Sequence, residues 1–333
     1  MYRFLLLLII SISSLAEDMG EGDFQFKADK NWGVLNPGKY PVKNCNGITI
    51  DSDGRVIVLT DHEKNNVLIY DQSGALISTW TLNLPSAHGL TLAVKEDRDY
   101  LYITDTNKNK VIRTTIDGKI DLELTYPKES GKYKSAKQYR PATVIPAPNG
   151  DFYVLDGYGI NYIIQYNWKG EYIRIFGGDI GEGDAQLKKW GPHGGCLDNR
   201  DPKNPTLLIA CSDQQKIKRF SLDGKYIDQY SMPGGNPRGA AVFGEYLIIP
   251  NMSSNWPKQR NAPGYISVLD KNFKVIANIG GSSPIYTDGK LSKMTHNQNF
   301  FKFPHAVTVD KQGNLYVAQW NSGQTYPIKL IKK

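Results

Sequence analysis

The chain has 333 residues, 40% of them hydrophobic and 11% aromatic, with 40 Lys plus Arg against 33 Asp plus Glu for a formal net charge of +7. The basic residues are scattered, and stretches such as KESGKYKSAK are short. A nucleic-acid partner would want a concentrated basic footprint, so the balance describes an ordinary solvated surface and no nucleic-acid ligand is expected.

The chain opens with MYRFLLLLIISISSLAED. Arg3, the apolar run Leu5 to Ile12 and the small residues Ser14-Leu15-Ala16 predict a secretory leader over 1–16. The apolar run is short of the roughly 20 residues that span a bilayer. The expected location is periplasmic or secreted, with no integral membrane segment once the leader is removed. Residues 17–333 are expected to form a single domain.

From about residue 45 the chain repeats itself. Each unit has an alternating strand, a second strand and a third, as in VIVLTDHEKNNVLIYDQSGALISTW, LYITDTNKNKVIRTTIDGKIDLEL and FYVLDGYGINYIIQYNWKGEYIRIFGG. Aromatic and β-branched residues recur at period two, and QSG, DG and WKG supply hairpin-turn chemistry. A short innermost strand precedes each pattern: GITID, GLTLAV, ATVIPA, GGCLD, GAAVF and AVTVD. The prediction is an all-β, six-bladed β-propeller with blades at about 45–82, 86–126, 139–178, 191–232, 237–280 and 303–333. The sixth unit stops after its third strand. The missing outer strand is expected from FQFKADKNWG at 24–33, which would pair the two termini and remove the last free edge.

Aligning the units on the innermost strand places Asn46, His88, Ala142, His193, Arg238 and His305 in one equivalent slot. Counting eight places on reaches Gly54, Gly150 and Gly313 in units one, three and six, which supports the register. Innermost strands surround the axis, so three of the chain's five histidines would converge from alternate blades. Three imidazoles with an open position suit a catalytic divalent transition metal, zinc foremost. His88, His193 and His305 are therefore the expected ligands. Tyr158, in DGYGIN at the end of the second strand of blade three, is expected beside them, where positive charge would favour its phenolate. Arg238 is the expected carboxylate clamp, with Arg140 and Asn46 as weaker candidates. Asp61, Asp105 and Asp156 end the second strand of the first three blades and read as turn scaffolding. Trp190, Trp256 and Trp320 can wall a pocket or pack between blades. Segments 251–264 and 282–302 are candidate lids. Cys196 and Cys211 are either a disulfide or two buried small hydrophobes, and Cys45 reads as core.

The stretches DFYVLDGYGINYIIQYNWKGEYIRIFGG, GPHGG, AHGL and FPHAVTVD resemble NHL-repeat propellers, and more narrowly the peptidyl-hydroxyglycine lyase domain of peptide-amidating enzymes. The resemblance implies that His88, His193 and His305 hold a catalytic zinc with Tyr158 beside it. It implies cleavage of an α-hydroxyglycine C–N bond, releasing an amide and glyoxylate. The family's arginine in the fourth-blade strand-end loop is replaced by ACSDQQ, with Ser212 near its place, and its first-blade arginine has no equivalent in LTDHEKNN. The family's last ligand histidine precedes an aspartate that helps bind structural calcium; here Ala306 follows His305, which leaves calcium a minor expectation. The leading expectation is an exported metal-dependent lyase acting on a small or peptide-derived, hydroxylated or anionic substrate. The alternatives are a non-catalytic binding propeller with a structural metal and, behind it, a lactonase-like hydrolase, which would need an oxygen-rich axial site.

Overall fold

Burial falls from the middle of each repeat toward its end. In the first, Val56–Thr60 and Val67–Tyr70 are buried throughout, whereas no residue of Leu76–Trp80 is buried. A strand that is apolar on both faces needs a sheet stacked on each side, and a ring of blades supplies it. The computed structural model describes residues 18–179, 183–188 and 190–333, so the expected leader at 1–16 lies outside the described residues. Among the described residues, no helix is long and apolar enough to cross a membrane.

Six antiparallel sheets follow one another in chain order, each running from an innermost to an outermost strand. The innermost strands are Cys45–Ile50, Ala87–Lys95, Thr143–Pro146, Gly194–Asp198, Ala241–Phe243 and Pro304–Val309. Adjacent blades meet through apolar faces. Ile57, Leu59, Val67 and Ile69 of the first blade share a cluster with Leu101, Ile103 and Ile112 of the second.

Blade six closes the ring. Its third strand, Ile328–Lys332, pairs with Phe24–Asp29 in the register Phe26 to Lys332 and Ala28 to Leu330. The sequence predicts one closing strand; the structure has two. Asp18–Glu21 folds back on Phe24–Asp29, making this sheet five-stranded, and Asp18 pairs with Lys333 at 2.6 Å. Met19, Phe24, Phe26 and Ala28 are buried in the blade five and blade six core.

All three cysteines are free thiols. Antiparallel register sets Cys196 opposite Leu208 and Cys211 opposite Lys216, so the hairpin does not bring the two sulfurs together.

Candidate metal centre

The slot residues do converge. Asn46, His88, Ala142, His193, Arg238 and His305 all line one axial cavity of about 310 Å³. The ring centroids of His88, His193 and His305 stand 4.9, 4.7 and 5.0 Å apart, a nearly equilateral triangle. One ring nitrogen from each lies within 4.8 Å of the others, and all three side chains are buried.

Local backbone irregularity aims these side chains. Register shifts fall between Cys45 and Gly47, between Ala87 and Leu90, and between Pro304 and Ala306. Asn46, His88 with Gly89, and His305 are therefore the residues left out of the ladder, and a bulge of this kind turns a side chain out of the pleat, here toward the axis. The glycines after two histidines have a steric cause. A Cβ on Gly89 would sit 2.5 Å from the Ala142 carbonyl oxygen, and one on Gly194 would sit 2.0 Å from that of Arg238.

Those same carbonyls set the histidine tautomers. His88 Nδ1 lies 2.7 Å from the Ala142 carbonyl oxygen, His193 Nδ1 3.0 Å from that of Arg238, and His305 Nδ1 2.7 Å from that of Asn46. Each even-blade imidazole is thus tied to the slot residue of the next blade. A carbonyl only accepts, so each Nδ1 carries the proton and each Nε2 keeps its lone pair free, the usual arrangement of a metal-binding histidine. Burial lowers the His88 pKa to about 4 and drives His193 and His305 well below the ordinary value, with Arg238 and the neighbouring imidazoles adding to the effect. The rings are neutral, as metal ligation requires. These residues fit a divalent transition metal.

Tyr158 reaches the trio from the turn after the second strand of blade three. Its hydroxyl is 3.0 Å from His88 Nε2 and 2.9 Å from His193 Nε2. The turn is held by Asp156, whose carboxylate accepts from the Arg140 and Ile160 backbone N–H groups and from the Tyr133 hydroxyl at 2.6, 2.9 and 2.8 Å. Asp61 and Asp105 serve their own turns in the same way, accepting from Asn44 and from Ser86, Asn107 and Lys108. In the metal-free chain burial raises the Tyr158 pKa, with Arg238 and Arg140 pulling against it. The easier ionisation expected from the sequence therefore depends on the ion, and the chain alone holds a neutral phenol.

Arg238 is 6% exposed, and its Nε has no hydrogen-bond partner among the described residues. Arg140 lies over the Tyr158 ring, 6.0 Å from its centroid, and donates to the Thr106 carbonyl and the Asn107 side chain. Ser212 donates to the Pro237 carbonyl at 2.6 Å, beside Arg238. The two long segments pack together beside blades four to six. Trp256 from segment 251–264 is buried with Met252 and Phe303 and lies 5.9 Å from Trp190. It also donates to Asp213 at 2.8 Å. Segment 282–302 meets segment 251–264 through His296, which lies 2.5 Å from the Ser254 hydroxyl. Trp320 is 38% exposed and packs on Phe303 at the edge. The carbonyl ties and the bulges escaped the sequence reading. The only signal of either was the glycine after His88 and His193.

Fold and site together define a six-bladed β-propeller with a three-histidine axial centre capable of coordinating a divalent metal. No protein-family model matches the chain. Peptidyl-alpha-hydroxyglycine alpha-amidating lyase 1 of Drosophila melanogaster is 33% identical over 249 residues, which is 70% of this chain and 42% of that protein. The chain therefore spans less than half the length of this curated relative. Virginiamycin B lyase from Staphylococcus aureus superposes with a TM-score of 0.53 at 20% identity, over 85% of this chain and 79% of that one. A streptogramin B lyase gives a TM-score of 0.59 at 16% identity, over 95% and 98%. A Trichoderma reesei carbohydrate-active protein of family AA12 gives 0.58 at 12% identity, over 96% and 98%. At these identities the structural likenesses establish the fold.

Proposed function

We propose that the chain is an exported metal-dependent lyase carried on a single NHL-type propeller, residues 17–333, with zinc as the preferred ion and a leader at 1–16. The observation that carries this reading is the geometry of the trio: three neutral imidazoles, each Nδ1 tied to a backbone carbonyl, with the Tyr158 hydroxyl within 3.0 Å of two free Nε2 atoms. His88, His193 and His305 would hold the ion, which supplies Lewis-acid polarisation of a substrate oxygen when bound. Tyr158, half-buried and hydrogen-bonded to the trio, would hold or move a proton at its hydroxyl oxygen. Arg238 would fix an anionic end of the substrate.

The match to the fly amidating lyase supports a peptidyl α-hydroxyglycine as the first substrate to test. The expected outcome is stoichiometric zinc and release of glyoxylate and a peptide amide, followed by mass spectrometry. A zinc-loaded protein that leaves this substrate and related α-hydroxylated acids intact would favour the second reading, a ligand-binding propeller with a structural ion. That reading draws support from Ser212, which stands where the resemblance implies an arginine. A lactonase-type calcium site would need carboxylate ligands on the axis, and none lines the cavity among the described residues.

A further inference from the structure

Segment 125–142 joins the outermost strand of blade two to the innermost strand of blade three, at the end of the ring where Tyr158 stands. By sequence its KESGKYKSAK stretch is ordinary solvated surface. The fold gives it a fixed place. Tyr133 and Tyr139 are buried beneath it, with ring centroids 5.7 Å apart, in the core shared by blades two and three. The Tyr133 hydroxyl donates to Asp156 at 2.8 Å, and the Gln138 side chain accepts from the Lys134 backbone N–H at 2.7 Å. A Cβ added to Gly159 would stand 2.3 Å from the Gln138 carbonyl oxygen, so the segment lies directly against the Tyr158 turn. Arg140 completes the join: its carbonyl accepts from the Tyr158 N–H at 3.3 Å, and its guanidinium lies over the Tyr158 ring.

With the tyrosines turned inward, the charged residues between them face out. Lys132, Lys134 and Lys137 are exposed, and among the described residues no carboxylate pairs with any of them. Arg140 carries the cationic strip to the edge of the site, donating to Asn107 beside the exposed Lys108. The single acid of the segment, Glu129, is directed toward Tyr166 and Tyr172 on the outer half of blade three, where it helps to keep both phenols protonated. Asp105 and Asp156 in the adjoining turns are buried and occupied by hydrogen bonds. Past blade three the sign changes, with Asp179, Asp184 and Asp213 exposed toward blade four. The cations therefore form a shelf along one sector of the mouth, fixed to the same turn that presents Tyr158.

We propose that this shelf recognises acidic side chains of a peptide whose terminal residue reacts at the histidine centre, so that the protein selects peptides with Asp or Glu a few positions before that residue. The inference deepens the lyase reading and rests on it for the reacting end of the peptide. An extended chain advances about 3.3–3.6 Å per residue, so one that leaves the site past Arg140 crosses the lysines within a few residues. Exposed ion pairs are individually weak, but several cations on one fixed support attract and steer an acidic chain together. A flat anionic membrane fits less well, because it would also meet the exposed aspartates of the next sector. Single-stranded nucleic acid would want stacking aromatics, and the two tyrosines of the shelf are buried.

The test is fluorescence anisotropy on the zinc-loaded full chain, with hexapeptides that carry an uncharged dye and end in glycine, preceded by three Glu, three Gln or three Lys. The same peptides ending in α-hydroxyglycine are followed for turnover. At low salt the Glu peptide should bind about tenfold tighter than the Gln peptide, the summed effect of several exposed ion pairs, and the Lys peptide weakest. The preference should vanish near 1 M salt, where the screening length falls to about 3 Å. Lys132→Glu, Lys134→Glu and Lys137→Glu combined should invert the order, so that the Lys peptide binds tightest. Should the triple variant fail to fold, Lys134→Glu alone should narrow the preference by about twofold or more. Equal binding of the Glu and Gln peptides by the wild type, or an unchanged order in the reversed variant, would overturn the proposal. So would capture of phosphatidylglycerol vesicles without any preference among the peptides, which would give the shelf to a membrane. A Glu peptide bound with this preference but left intact in its hydroxylated form would count against the proposed lyase and leave the shelf standing.

Discussion

An imidazole ligates a metal only through a nitrogen that has given up its proton, and here three backbone carbonyls decide which nitrogen that is. His193→Ala should lower zinc affinity by about 100-fold or more, read by metal analysis after dialysis, because two histidines cannot complete the tripod. Unchanged metal content would mean that the three rings do not share an ion. Tyr158→Phe keeps the packed ring and removes only the hydroxyl. Zinc should stay bound and turnover of a hydroxylated substrate should fall by about 10²- to 10⁴-fold, the usual range for one proton-transferring group. The trio also makes the metal-free protein sensitive to acid. Its folded rings bind protons less tightly than the unfolded chain, with His88 moved from the ordinary 6.5 to about 4. The imidazole contribution to stability should therefore be level above pH 6.5 and fall as the pH drops from 6.5 toward 4, while the buried Asp156 carboxyl, pushed up to about 7, acts in the opposite sense over the same range. For His88 alone the loss is roughly 3 kcal/mol at about 1.4 kcal/mol per pH unit. Urea midpoints of the wild type compared with His88→Gln across this range isolate the imidazole contribution, and a difference that does not change with pH would contradict a buried neutral ring.

The inner strands and the strand-end turns carry the site, and they differ in how far the sequence reveals them. The slot register was legible because Gly54, Gly150 and Gly313 recur eight places after Asn46, Ala142 and His305. All six slot residues then line one cavity. The bulges at Asn46, His88 and His305 were not legible, since a register shift depends on what the neighbouring strand offers. The repeated aspartates did announce turn scaffolding, and Asp156 shows why the role matters for Tyr158. Replacing Asp156 with Ala leaves the Arg140 and Ile160 N–H groups and the Tyr133 hydroxyl without their acceptor. At about 1–3 kcal/mol per buried unpaired group, with some rescue by water, the expected loss is about 3 kcal/mol in chemical denaturation, with turnover falling as the Tyr158 turn loosens. Wild-type stability in this variant would show that the turn holds itself.

Closure of the ring is a property of the whole chain. Removing residues 18–29 strips two strands from blade six and exposes the core that Met19, Phe24, Phe26 and Ala28 cover. At about 1.5–3 kcal/mol for each large apolar side chain, the truncated protein should lose roughly 6 kcal/mol and aggregate through the bared edge, seen as a lowered Tm and light scattering. A Tm equal to that of the full chain would show that the third strand of blade six suffices. The amino-acid order determined the period-two strands, the six repeats, the closing role of 24–33 and the alternate-blade histidines, because these depend on local pattern and on counting along the chain. Only the folded ring decided the imidazole tautomers, the second closing strand, the free state of Cys196 and Cys211, and the approach of the Tyr158 hydroxyl to two of the imidazoles. Each of these is set by atoms brought together from distant blades, and no local pattern encodes the distance between them.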